Sequence, residues 1–466
     1  LVSGRVLATV TSGDDLLFDQ LEIGAGGAMF LAGELSGRAT LEAGTPNARM
    51  LQGSQIGSSI VAKYTAAGSL VWATSMPSNV GRATVIHPLA DGSVLVGGYF
   101  NDWLTLDQGL ATQSTIQATG DGYNIYLVKL DANGRTVWAR TAASGAIDGV
   151  FGIAARPDGS FVATGYFADA YDHTLTFPDG QSGPVSVTAP ADKWETGWVG
   201  SFDAQGRLGW VRMLGGSSRV DKVRSVAFAT NGDLLVAGAF AGDMTYQTST
   251  GAQTIQQTGN TSYGTAGTYL ARLSPSTGDV VTMHANGADS TVTSMVRDGS
   301  GLHLAAQTDR ASAFDPTSTA PVNGAVPVAS YLVRFDESFA VTRLQAVGTG
   351  FDRANLANLG NGSYLFSGYA SAYRRFANGP NGEIDTTPVT SGSGLPPGFL
   401  ACASPTRIVW STSAGRSSAA ALADDGTIVA VSTFEQTVTI NAGTASAQTF
   451  THSGFGRTSL LLRFTP

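Results

Sequence analysis

The chain has 466 residues, 42% of them hydrophobic and 13% charged, with 59 glycines and a formal net charge of −8. Its 27 Lys and Arg are too few to build a phosphate-tracking face, so nucleic acid is not an expected partner. The single cysteine, Cys402, excludes an internal disulfide and cysteine-based zinc sites, and no segment reaches the roughly 18 apolar residues of a membrane span.

The chain opens on Leu1 without a basic stretch leading into an apolar one. It is expected to be a mature or excised region from which a signal peptide is gone. Ser3-Gly-Arg-Val-Leu-Ala-Thr-Val10 reads as a strand with no partner before it. A turn dipeptide then recurs, each time leading into an apolar run: Gly26-Gly27, Asp91-Gly92, Asp158-Gly159, Asn231-Gly232, Asp298-Gly299, Asn361-Gly362 and Asp425-Gly426. These pairs supply the positive φ of tight hairpins. Their second glycines are 65, 67, 73, 67, 63 and 64 residues apart, and the step from Gly426 through the C-terminus and on from Leu1 to Gly27 is another 67. The sequence is therefore circularly periodic, with seven units.

Each unit carries four short strands. Val150–Arg156 is a strand A, Phe161–Phe167 a strand B, Ile125–Leu130 a strand C, and after the turn Asp131-Ala-Asn-Gly134 comes a strand D, Arg135–Arg140. Strand D repeats a tryptophan at Trp72, Trp138, Trp210 and Trp410, expected to pack one unit against the next, while Thr282 and Thr342 mark units that depart from it. A cation recurs on strand C at Lys63, Lys129, Arg272, Arg334 and Arg463, where repetition points to architecture. The last unit ends at Leu460–Phe464 without a strand D, and Ser3–Val10 matches the missing strand. The expectation is an all-β, seven-bladed β-propeller of four-stranded antiparallel blades. Residues 1–466 form its single domain, and residues 1–10 complete the C-terminal blade.

The runs Tyr126-Leu-Val-Lys-Leu-Asp-Ala-Asn-Gly-Arg-Thr-Val-Trp138 and Asp158-Gly-Ser-Phe-Val-Ala-Thr-Gly-Tyr-Phe167 resemble the bacterial β-propeller repeats called SBBP. The resemblance spans nearly the whole chain, clearest in residues 60–240 and weaker in 282–345. It implies a bacterial secreted or cell-surface protein, of which this chain is one part, and it brings no catalytic signature.

Between strands B and C each unit inserts roughly 22 to 30 residues, more than a hairpin needs. Thr-rich patterns there (Leu104-Thr-Leu106, Leu175-Thr-Phe177, Met244-Thr-Tyr246) predict an extra small hairpin in most blades. Antiparallel alternation puts these insertions and the D–A links on one face and the glycine turns on the other. Charges precede strand A at Asp15, Arg82, Asp148, Asp221, Asp289, Asp352 and Arg416. They are expected either to bond local backbone, as Asp does in turns, or to ring the mouth of the central channel. Trp103 and Trp194 are placed at the rim of that mouth, to stack on a sugar or anchor a protein. The candidate ligand site is thus Arg82, Trp103, Asp148, Trp194, Asp221, Asp352 and Arg416.

The five histidines are scattered, and no nucleophile elbow, phosphate loop or calcium loop is present. No catalytic residue, metal site or cofactor is expected, although surface calcium stays open. The reading is a non-enzymatic extracellular or cell-surface scaffold that binds a protein or glycan or spaces other domains. The alternative is a lyase or hydrolase with its site at the channel mouth.

Overall fold

The computed structural model describes residues 3–120, 122–168, 173–189, 195–215, 221–255, 267–286, 290–299, 301–308, 329–359, 362–377, 383–385, 398–403, 408–413, 416–434, 437–440, 448–451 and 457–465. They form seven antiparallel four-stranded blades, with strand A of each blade against strand A of the next around a ring: a seven-bladed β-propeller. In blade 2, strands A to D are Gly81–Pro88, Val94–Phe100, Asn124–Leu130 and Thr136–Ala142, paired in that order from the axis outward. Blade 3 repeats this with Asp148–Ala155, Phe161–Ala168, Glu195–Phe202 and Leu208–Leu214. Blade 4 does so with Lys222–Phe228, Leu234–Phe240, Gly267–Leu273 and Val280–Asn286.

The ring closes where the sequence places it. Ser3–Ile23 is one long strand serving two blades. Its first part pairs with Thr458–Thr465, Ser3 opposite Thr465 and Val10 opposite Ser459, as strand D of blade 7. Its second part pairs with Met29–Leu41 as strand A of blade 1. The middle strands read as unbroken apolar runs because a neighbouring blade covers each face: all of Leu234–Phe240 and Ile428–Phe434 is buried.

The outer rim is held by one repeated contact. The indole N–H of Trp72 donates to Ala132 O (2.8 Å), that of Trp138 to Ala204 O (3.1 Å) and that of Trp210 to Pro275 O (3.1 Å), each in the C–D turn of the following blade. The turn glycine has positive φ, 78° at Gly134, and a Cβ there would lie 2.6 Å from the Trp72 ring. Gly206 and Gly278 meet Trp138 and Trp210 in the same way. Where strand D carries Thr282 instead of tryptophan, the next blade's turn carries Phe339 at φ 66°, 3% exposed. Tryptophan and glycine are thus lost together.

The extra hairpins form, but they do not crown the channel. In blades 2, 3 and 4 the hairpin folds back along the perimeter into the wedge between two blades. Thr105 N donates to Pro77 O (2.7 Å), Thr176 N to Ala143 O (3.0 Å) and Thr245 N to Gly215 O (3.3 Å), latching the hairpins of blades 2, 3 and 4 onto the end of the preceding strand D. Leu104, Leu175 and Met244 are fully buried beneath them, while Thr105 with Thr115, Thr174 with Thr188 and Thr245 with Thr254 pair across the exposed face.

Candidate functional site

Strand A begins at the face where the D–A links arrive, and in six of the described blades its register slips at one equivalent place, leaving Asp19, Thr84, Phe151, Arg224, Thr293 and Ser418 as bulge residues. A bulge turns an extra side chain out of the pleat. It also crowds strand B. A Cβ on Gly33, Gly98, Gly165 or Gly238 would lie 1.9–2.3 Å from the carbonyl oxygen of Leu17, Arg82, Gly149 or Lys222. In blades 1 to 4 a strand B glycine accompanies the bulge, whereas Ala306 and Ser432 take its place in blades 5 and 7.

The bulge residues and their neighbours assemble the mouth. Arg82 pairs with Asp19 of the previous blade and lies 3.7 Å from Glu34. Arg457 grips Asp15 through two nitrogens, at 2.7 and 2.6 Å. Burial holds Glu34 above the usual carboxylate range, an effect that Arg82 and Arg457 partly offset. Further round, Lys222 lies 3.1 Å from Glu195 and 4.5 Å from the centre of the Tyr166 ring. Arg224 lies 4.6 Å over Phe151, which stacks on Tyr166 at 5.2 Å. Tyr99 and Tyr123 approach at 5.3 Å. The result is an arc of half-buried aromatic rings and cations across blades 2 to 4, with the Asp15, Asp19 and Glu34 carboxylates at its blade 1 end.

The sequence-chosen residues divide. Arg82 belongs to the mouth. Asp148 and Asp221 do not: both are 0% exposed and serve the backbone. Asp148 accepts from Ser144 N at 2.9 Å and from the Ser144 hydroxyl, and burial pushes its carboxyl up to about 7. Asp221 accepts from Ala241 N at 2.9 Å. The proposed ring merged two registers. Arg82 and Lys222 stand opposite Tyr99 and Ala239, whereas Asp148 stands opposite Phe167, one residue earlier. Adjacent strand residues face opposite ways, so the two sets cannot share a wall. The side chains of Asp352 and Arg416, and all of Trp194 and Asp289, lie outside the described residues. Trp103 is half-buried on the perimeter hairpin of blade 2 and so is not at the mouth.

Sequence reasoning missed Tyr99, Tyr166, Lys222 and Arg224. Their signal was the Gly-Tyr pair near the end of strand B, Gly98-Tyr99 and Gly165-Tyr166, and the positions ten and eight residues before the turn glycine, where Lys222 and Arg224 precede Gly232. Among the described residues no three His, Cys, Asp or Glu side chains gather as a metal site requires, and no helix is long and apolar enough to cross a membrane. At the junction of blades 5 and 6 the Tyr364 hydroxyl lies 2.7 Å from Asp298 and 2.8 Å from His303, which is 2% exposed.

No protein-family model and no curated protein matches the sequence. Among solved structures the chain is similar to the quinohemoprotein alcohol dehydrogenase of Comamonas testosteroni, at 10% identity over all of this chain and 76% of that one, TM-score 0.42. It is also similar to a Dyadobacter fermentans protein of unknown function, at 11% identity over 99% and 100% of the two chains, TM-score 0.38. The WD40 domain of Neurospora crassa Pan2 matches at 8% identity over 70% and 86%, TM-score 0.32. Likeness at this level carries no argument about activity, and the seven blades rest on the strand pairing itself.

Proposed function

We propose that the chain is a non-enzymatic, single-domain scaffold of a bacterial secreted or cell-surface protein, akin to SBBP-type propellers, that takes a protein or glycan partner at the channel mouth. The aromatic–cationic arc of Tyr99, Tyr123, Tyr166, Lys222 and Arg224 carries this reading: half-buried rings beside cations offer stacking and hydrogen bonding on a rigid frame. Catalysis at the mouth is disfavoured because Asp15, Asp19, Glu34 and Glu195 each face a cation within 4 Å. The alternative, a lyase or hydrolase with its site at the channel mouth, would need carboxylates there that no cation neutralises.

A glycan array and a panel of purified bacterial surface proteins test the reading. Binding that falls about tenfold or more in Tyr99→Ala with Tyr166→Ala, and is unchanged in Trp103→Ala, supports it. The reading is rejected if no partner loses affinity in the mouth variants, and turnover of a partner bound there selects the enzyme.

A further inference from the structure

The perimeter hairpins of the first three blades are sealed, and the fourth is not. Seven-residue tips, 42–48, 107–113 and 178–184, reach down to the start of their own strand D. Glu42 accepts from Leu70 N (2.7 Å), Asp107 from Thr136 N (2.9 Å), and the Asp179 carbonyl from Leu208 N (3.1 Å). The fourth hairpin, Met244–Thr248 with Gly251–Ile255, turns through only residues 249–250 and bonds to itself, Thr248 Oγ1 donating to Gly251 O at 2.7 Å. Where the tip of blade 3 is present, the cavity beneath Arg140 and Asp179 measures about 10 Å³. Where the tip of blade 4 is missing, a cleft of about 350 Å³ opens between blades 3 and 4.

The cleft is furnished. Arg212, at the position Arg140 holds in blade 2, lies 3.2 Å from Asp279 instead of a hairpin tip. Guanidinium and carboxylate together present donor and acceptor side by side with no net charge. Tyr246 is half-buried where Phe177 of blade 3 is 4% exposed, and Gln247 adds an exposed amide. The volume falls at the low end of small-molecule sites.

We infer that this cleft binds a neutral sugar residue of a glycan. A pyranose has a C–H face for Tyr246 and a rim of hydroxyls that both donate and accept, which suits the neutral Arg212–Asp279 pair and the Gln247 amide. A charged peptide would leave its charge uncompensated there. The inference concerns a site separate from the mouth and stands or falls apart from it.

Calorimetric or saturation-transfer titration of the intact chain with neutral hexoses and their disaccharides tests it. At least one should bind saturably. Gln247→Ala should weaken binding about five- to tenfold while leaving the unliganded protein as stable, since its side chain is exposed and seals nothing. Tyr246→Ala, and replacement of residues 249–250 by the seven-residue tip 178–184, should abolish binding with the melting temperature retained. Tyr99→Ala with Tyr166→Ala should leave it intact. If no sugar binds, if binding survives the grafted tip, or if only peptides bind, the inference is wrong. Sugar binding lost in the mouth variants alone would overturn it while leaving the mouth reading in place.

Discussion

The outer rim and the axial mouth share one repeating backbone but differ in what they repeat. At the rim the side chains recur with the blades: Trp72, Trp138 and Trp210 meet Gly134, Gly206 and Gly278, and acidic tips meet strand D. At the mouth only the bulge recurs, and it presents Asp19, Thr84, Phe151 and Arg224 in successive blades. Repeated chemistry marks what every blade needs in order to pack. Varied chemistry on a constant backbone marks what recognition is free to use.

That contrast can be broken from the rim inward. Deleting residues 1–10 should have the largest effect, because it strips strand D from blade 7 and bares the edge of a strand whose Leu460, Leu461 and Leu462 are at most 1% exposed. Aggregation or loss of a cooperative melting transition is expected, and an unchanged melting temperature would refute closure. Trp138→Ala should come next, at about 2–3 kcal/mol by chemical denaturation. The ring is half-buried and stacks on Phe161 at 5.9 Å, so the cost should lie below that of a fully enclosed aromatic. Asp107→Ala orphans Thr136 N and should cost about 1–2 kcal/mol, whereas Gln247→Ala at the unsealed hairpin should cost almost nothing.

The smallest effect is a trend. Because burial raises the Asp148 carboxyl to about 7, its contribution to stability is fully present below its unfolded value of about 4 and is lost as the pH rises through 7. Asp148→Asn should therefore flatten the decline in melting temperature between about pH 4 and 7. Parallel profiles for the two proteins would show that Asp148 is charged throughout.

Much of this was legible in the chain. The glycine turns, the circular period and the homeless strand Ser3–Val10 announced the ring, since positive φ and a missing partner are local facts. The Thr-rich insertions announced hairpins, and the prediction that Asp might bond local backbone describes Asp148 and Asp221. The charged ring around the mouth was misread because it mixed two offsets from the turn glycine: Arg82 stands ten residues before Gly92 but Asp148 eleven before Gly159, so the counterpart of Arg82 is Gly149. Adjacent strand positions face opposite ways, and that one residue separates the mouth from the blade interior.

Blade number, ring closure and a strand D tryptophan packed between blades were readable from the chain, because each follows from spacing that repeats along it. That the tryptophan meets a turn glycine, that the hairpins of blades 2 to 4 lie on the perimeter, that Tyr99, Tyr166, Lys222 and Arg224 converge at the mouth, and that a short tip opens a cleft beside Arg212 came only with the packed ring. Those outcomes depend on which side chain a neighbouring blade leaves uncovered, and residues some 65 apart in sequence meet there only once the ring is closed.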